Sequence, residues 1–208
     1  HVTTRANLQI REIGADDAVN VVEAIQDLGL TSRGSGADNI RNVTGTSTAG
    51  IDPQELLDTR RYARDWHFHV LNDRSLTGLP RKFNVAFDGA GKVAVLEETN
   101  DIGFQAVEVT EGASVPEGIY FRLVLGGITG HQDLARDTGV VLPLDEATRV
   151  ADAIVRVFVD SGDRTNRNKA RLKYVLDDWG FDKFLAAVAA TLGHPLSPVD
   201  PAHAKPRP

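Results

Sequence analysis

Positively charged side chains recur in this sequence where predicted loops and strands meet. Arg5 lies in "TTRANLQ", Arg41 lies in "DNIRNVTG", and Arg81 and Lys82 lie in "LPRKFNVAF". A guanidinium matches the two oxygens of a carboxylate, whereas an ammonium suits a small anion or can donate a proton. Each cation taken alone is more often a solvated surface charge. Together they indicate a binding site for an anion.

The segment 78–87 shows how such a site could be built, because it alternates like a β-strand. Side chains along a strand point to opposite faces in turn. Lys82 and Asn84 therefore share one face, while Phe83 and Val85 share the other, apolar face. An ammonium and an amide on the same face can bind one small ligand.

Another group of cations surrounds the start of a predicted helix near the end of the chain. Simple ion pairs with nearby acidic residues explain such a group equally well. The members of this group are Arg164, Arg167, Lys169, Arg171 and Lys173. His67 and His69 are two positions apart on a predicted helix and do not share a face, so no metal site is predicted.

The elements that would position these residues mix strands and helices. Alternation of apolar and polar residues predicts strands, and apolar residues at helical spacing predict amphipathic helices. The predicted strands are 2–13, 78–87, 93–98, 102–109 and 118–128. The predicted helices are 15–30, 52–73, 143–162, 166–180 and 181–193. This order predicts the α/β (α+β) class, with a mixed sheet flanked by helices.

Two segments are predicted to lack regular structure. Residues 31–53 are rich in Gly, Ser, Thr and Asn, and we interpret them as an ordered binding loop rather than a flexible linker. Asp52 is predicted to cap the helix that follows, with Pro53 in its first turn. The Pro-rich tail 193–208 is predicted to be a linker or a disordered end.

Composition excludes several classes of protein. The 208 residues are 41% hydrophobic and 25% charged, which is typical of a globular protein. The net charge of -6 argues against nucleic acid as a partner. The chain has no cysteine, so it cannot form disulfides or thiolate metal sites by itself.

No apolar run predicts a membrane span, and we expect a cytoplasmic protein. The chain has no methionine and opens on a strand-like segment, which suggests a fragment.

Five segments, in their order along the chain, resemble the first half of the siroheme-dependent nitrite and sulfite reductases. They are "TTRANLQ", "SGADNIRNVTGTSTAGIDPQELLDTR", "LPRKFNVAF", "FRLVLGGI" and "GDRTNRNKARLKYVLDDWGFDKF". The resemblance runs from Val2 to about Val188. Enzymes of this family hold siroheme, an iron tetrapyrrole with eight carboxylates, bridged to a 4Fe-4S cluster. They reduce nitrite to ammonium, or sulfite to sulfide, in six-electron reactions.

The resemblance implies roles for individual residues. Arg41, Lys82 and Asn84 would face the anion, and the family has asparagine at the position of Asn84 in its nitrite branch but lysine in its sulfite branch. A neutral amide suits nitrite, which carries less negative charge than sulfite can. The residues that would bind the cofactor are Arg5, Gln9, Asn39, Arg81, Arg171 and Lys173.

The resemblance also implies a division of the chain and a set of partners. Residues 1–35 would be the remnant of a ferredoxin-like half-domain, residues 36–192 the first siroheme/4Fe-4S-type repeat, and residues 193–208 a tail. The cluster cysteines would come from a missing C-terminal half, and ferredoxin or a similar protein would donate electrons for nitrate assimilation. The alternatives are a sulfite reductase and a non-catalytic tetrapyrrole-binding half-module.

Overall fold

The computed structural model describes residues 1–205, and within them seven strands form one mixed sheet. The strands are β1 Thr44–Gly45, β2 Val85–Asp88, β3 Ile102–Val109, β4 Gly118–Leu125, β5 Arg136–Leu142, β6 Ser197–Pro198 and β7 Ala204–Lys205. Strands β1 to β6 are neighbours in that order, and β7 pairs with β3. Pairs β1–β2 and β2–β3 are parallel, whereas the other pairs are antiparallel.

Four α-helices accompany the sheet in the described part of the chain. They are α1 Ala18–Asp27, α2 Arg60–Asn72, α3 Ala147–Ser161 and α4 Leu172–Leu192. Helix α4 breaks at Gly180, whose φ of 72° and ψ of 165° are not helical. This break agrees with the prediction of two helices meeting at residues 180 and 181. The mixed sheet and its helices confirm the predicted α/β class.

The main core lies between the sheet and helices α2, α3 and α4. Alternate residues of β3 and β4 point into it, among them the fully buried Phe104 and Phe121. The Phe104 ring stacks on Phe87 of β2 at 4.8 Å, and Phe121 contacts Phe87 edge-on at 5.7 Å. This packing fixes the position of β2, and Lys82 lies three residues before that strand begins.

Two predicted strands are wrong. Segment 2–13 forms only an isolated bridge between Val2 and Leu8, and segment 93–98 is irregular until a short 3-10 turn at Glu97–Thr99. Alternation alone does not make a strand, since a neighbouring strand must accept and donate the backbone hydrogen bonds. Neither segment has such a neighbour within residues 1–205.

The predicted start of the second helix is also wrong. Helix α2 begins at Arg60 rather than after Asp52. Asp52 instead accepts backbone hydrogen bonds from Gln54 at 2.9 Å and from Lys92 at 2.6 Å. These bonds make a local turn and tie two loops together, which is the competing use of an Asx side chain.

The end of the chain joins the sheet, so the predicted linker or disordered tail is wrong for residues 197–205. Strand β6 pairs with β5, and β7 pairs with β3. Residues 206–208 lie outside the described part. Strand β5 itself was not predicted from the sequence. Segment 102–109, in contrast, is a strand as predicted, and the predicted strand 118–128 forms over residues 118–125.

No helix among the described residues combines the length and the apolar character that crossing a membrane requires.

Candidate functional site: a cation-lined cleft

A cleft of about 620 Å³ lies at the end of the sheet where β1 and β2 begin. Three cationic side chains line it, those of Arg5, Arg41 and Lys82, together with the amides of Asn84 and Asn100. Within residues 1–205, no Asp or Glu belongs to its lining. The cleft is therefore positive although the whole chain carries a net charge of -6.

Lys82 and Asn84 reach the cleft because they lie two residues apart on the same face of the chain as it enters β2. Phe83 points the other way and is fully buried in the core. Neither the Lys82 ammonium nor the Asn84 side-chain amide makes a hydrogen bond or ion pair with another residue of the described part. Both groups are thus free to bind a ligand.

Burial and neighbouring cations destabilise the charged form of Lys82. Burial lowers the pKa of Lys82, and the cations Arg171, Arg41 and Arg81 lower it further, while Asp101 opposes them. A lowered pKa makes an ammonium a better proton donor near neutral pH. Lys82 therefore combines a positive charge for an anion with a proton that it can give up.

Arg41 enters the cleft from the loop that precedes β1. Its backbone N–H donates to the Phe83 carbonyl at 2.7 Å, which ties the loop to the residue between Lys82 and Asn84. Its Nη2 donates to the Ala37 carbonyl at 2.7 Å. Its Nε is buried and lacks a hydrogen-bond partner within residues 1–205. At least this Nε donor of the guanidinium is therefore left for a ligand.

Arg5 closes the cleft from the N-terminal segment. Its Nη1 donates to Asn100 Oδ1 at 2.6 Å, its Nη2 donates to the Asn42 carbonyl at 2.9 Å, and the Asn42 amide donates back to the Arg5 carbonyl at 2.8 Å. Burial lowers the pKa of Arg5 to about 10. The Nε of Arg5 is a buried donor with no partner among the described residues.

The other residues expected at the site lie elsewhere. Arg81 pairs with Asp38 at 3.2 Å, and Lys173 pairs with Asp177 at 2.5 Å. Gln9 accepts a hydrogen bond from Arg11 outside the cleft.

Two more expected residues are also absent from the lining. Asn39 lines a neighbouring cavity of about 330 Å³, and Arg171 is buried behind the cleft. The assignment of these residues to a cofactor stays a prediction.

Sequence reasoning missed two residues of the site, Asn100 and Asp101. Asn100 anchors Arg5, and the buried Asp101 carboxylate pairs with Arg171. Burial raises the pKa of Asp101, while Arg171 and a backbone N–H lower it. The available signal was the polar run "TND" directly before a fully apolar strand start, because polar residues at strand ends often serve a site.

The fold and this cleft define the chain as an α/β module with a cleft lined by cationic side chains. The family described as "Nitrite and sulphite reductase 4Fe-4S domain" matches residues 36–196. The chain belongs to this family, which confirms the resemblance found in the sequence.

Several known proteins are similar to this chain. The ferredoxin–nitrite reductase of Leptolyngbya laminosa is 37% identical over 210 residues, which cover 96% of this chain and 39% of that protein. An assimilatory ferredoxin-dependent nitrite reductase of Haloferax mediterranei is 31% identical, covering 88% of this chain and 31% of that protein. The chain thus spans about two-fifths or less of the length of these relatives.

Two solved structures share the fold of this chain. The NirA protein of Mycobacterium tuberculosis matches with a TM-score of 0.85 at 29% identity, covering 96% of this chain and 36% of that one. Dissimilatory sulfite reductase I matches with a TM-score of 0.64 at 14% identity, which shows a shared fold.

Proposed function

We propose that this chain supplies the anion-binding half of a siroheme-dependent reductase that converts nitrite to ammonium. The observation that carries the proposal is the cleft, which three cations and no carboxylate line within the described residues. Relatives named as ferredoxin–nitrite reductases support both nitrite as the substrate and ferredoxin as the electron donor. The assimilatory role and the cytoplasmic location stay predictions.

The residues of the cleft fit the carboxylates of siroheme. Arg5 and Arg41 each keep a buried Nε donor that has no partner in residues 1–205, and carboxylate oxygens would satisfy both. When bound, siroheme and a 4Fe-4S cluster would transfer electrons from the donor protein to the anion. The chain contains no cysteine, so thiolate ligands for the cluster would come from outside these 208 residues.

The chain's own residues would bind the anion and handle protons. Arg41 and Lys82 both line the cleft and would stabilise negative charge on the anion. Lys82 can donate a proton to an oxygen that leaves as water, because its pKa is lowered. The Asn84 amide donates a neutral hydrogen bond.

The identity of residue 84 favours nitrite over sulfite. Asn84 lines the cleft without adding charge, whereas a cation there would favour a dianion. Sulfite reduction is the alternative activity, and the family description includes it. A non-catalytic tetrapyrrole-binding half-module is a further alternative, since the chain has no cluster ligands of its own.

The experiment uses the complete protein that carries this chain, expressed with siroheme supplied. Visible absorption measures bound siroheme, and ammonium and sulfide are measured after adding reduced ferredoxin with nitrite or sulfite. We expect siroheme binding and ammonium production, with Arg41→Gln reducing nitrite turnover. The control is Arg149→Gln, which changes an exposed arginine of α3 that pairs with Glu146.

Each alternative has its own outcome in this experiment. Bound siroheme with faster sulfide than ammonium production would favour the sulfite reductase. Bound siroheme with neither product would favour the half-module. Absence of siroheme from the purified complete protein would defeat the proposal.

A further inference from the structure

A buried ion pair lies directly behind the residues that face the cleft. Asp101 is fully buried and Arg171 is 7% exposed. Arg171 donates from Nε to Asp101 Oδ1 at 3.1 Å and from Nη2 to Oδ2 at 2.6 Å. Asp101 Oδ2 also accepts the backbone N–H of Asn84 at 2.8 Å. All three partners are donors, so the geometry requires an ionised carboxylate.

This ion pair fixes the backbone of Asn84 on the side of β3. The Asn84 N–H donates to Asp101, and the Asn84 carbonyl accepts from the Ile102 N–H at 3.1 Å. On the other side, the carbonyl of the preceding Phe83 accepts from Arg41. The chain is thus held from both edges at the point where its side chains enter the cleft.

We propose that Asp101, through its pairing with Arg171, is the positioning residue that holds Asn84 and Lys82 against the bound anion. This inference rests on the proposed function and adds a residue that does not itself line the cleft. Asp101 and Arg171 are 70 positions apart in sequence, so the pair also connects the start of β3 to the start of α4.

The ion pair also sets the charge that Lys82 experiences. The charged groups that act on Lys82 are Arg41, Arg81 and Arg171, which lower its pKa, and Asp101, which raises it. Asp101 and Arg171 therefore oppose each other. Removing the charge of Asp101 alone would leave Arg171 uncompensated, and the pKa of Lys82 would fall further.

The test compares Asp101→Asn with the unmodified complete protein, with all rates expressed per bound siroheme. We expect kcat to fall about 10- to 100-fold, since a small displacement of a positioned group has effects of that order. We also expect a higher KM for nitrite. The alkaline limb of the pH profile should move to lower pH, because Lys82 must be protonated to act.

Asp152→Asn is the matched control. Asp152 on α3 accepts a similar fork from Arg156, at 2.7 Å from Nε and 3.1 Å from Nη2, and it does not line the cleft. Its kcat, KM and pH profile per siroheme should equal those of the unmodified protein. A general effect of breaking an Arg–Asp fork would appear in both variants.

A double variant separates loss of positioning from misfolding of the Asp101→Asn protein. Asp101→Asn combined with Arg171→Gln removes both buried charges together, which avoids an unpaired buried cation. We expect its alkaline limb to return towards that of the unmodified protein while KM for nitrite stays raised. Nitrite titration of the visible siroheme spectrum gives the affinity without turnover and should show the same weakening.

The possible failures are distinct. A double variant with unmodified KM, nitrite affinity and kcat per siroheme would refute the positioning role. An unmodified complete protein whose siroheme spectrum does not respond to nitrite would instead refute the proposed function.

Discussion

Replacing Asn84 by lysine would place a second ammonium beside Lys82 on the same face of the chain. Two residues along a strand are separated by about 7 Å. At an effective dielectric constant of about 20, two unit charges at this distance repel by about 2.4 kcal/mol. This repulsion lowers the pKa of Lys82 further. Because the pKa of Lys82 is already lowered, the alkaline limb of nitrite reduction should move towards neutral pH.

The added charge should also change which anion is preferred. Sulfite can carry two negative charges and nitrite carries one, so an extra cation stabilises bound sulfite more. An attraction of about 2.4 kcal/mol for the second negative charge would change the ratio of kcat/KM for sulfite to that for nitrite by about 50-fold. The measurement is steady-state kinetics with both anions across neutral and alkaline pH, on the complete protein with known siroheme content.

Asn72→Lys is the control for this substitution, because it adds the same charge at the exposed end of α2. It should leave the anion ratio and the pH profile unchanged. If Asn84→Lys with full siroheme content also leaves both unchanged, residue 84 does not face the anion and the assignment of the cleft is refuted.

Three other outcomes are expected. Lys82→Gln should lower kcat for nitrite by about 10²- to 10³-fold, because it removes a donor that stabilises developing charge. The melting temperature should stay constant. An unchanged kcat would contradict the role of Lys82. Phe104→Ala should lower the free energy of unfolding by about 3–5 kcal/mol in urea titration, because Phe104 is fully buried. Phe68→Ala, at a 52% exposed position, should lower it much less. Equal losses of unfolding free energy would contradict the proposed core. Hydrogen bonds from Ser75 chiefly lower the pKa of Asp73 to about 2, so the stability that its carboxylate contributes is present above the unfolded pKa and is lost as pH falls towards about 2. Asp73→Asn should remove this part of the acid dependence of the melting temperature. An identical curve of melting temperature against pH would contradict the assignment.

The pattern of the sequence predicted the strands that build the core. Strands were predicted at 102–109 and 118–128, and paired strands with one face in the main core form at 102–109 and 118–125. The same alternation predicted that Lys82 and Asn84 share a face, and both line the cleft. These predictions depend only on the two-residue period of an extended chain.

Pairing partners could not be predicted in the same way. Segment 2–13 alternates, yet it forms only one isolated bridge, while the Pro-rich end of the chain supplies two short strands. Whether a segment becomes a strand depends on an available edge with free N–H and C=O groups. That edge is formed by residues far away in the sequence.

The chain's sequence by itself determined the family, the periodic elements and the cationic residue types of the candidate site. Only the tertiary structure decided which cations meet, placing Arg5, Arg41 and Lys82 in one cleft and pairing Arg81 with Asp38. The physical reason is that periodicity is a property of consecutive residues, whereas burial and ion pairing depend on distances through space.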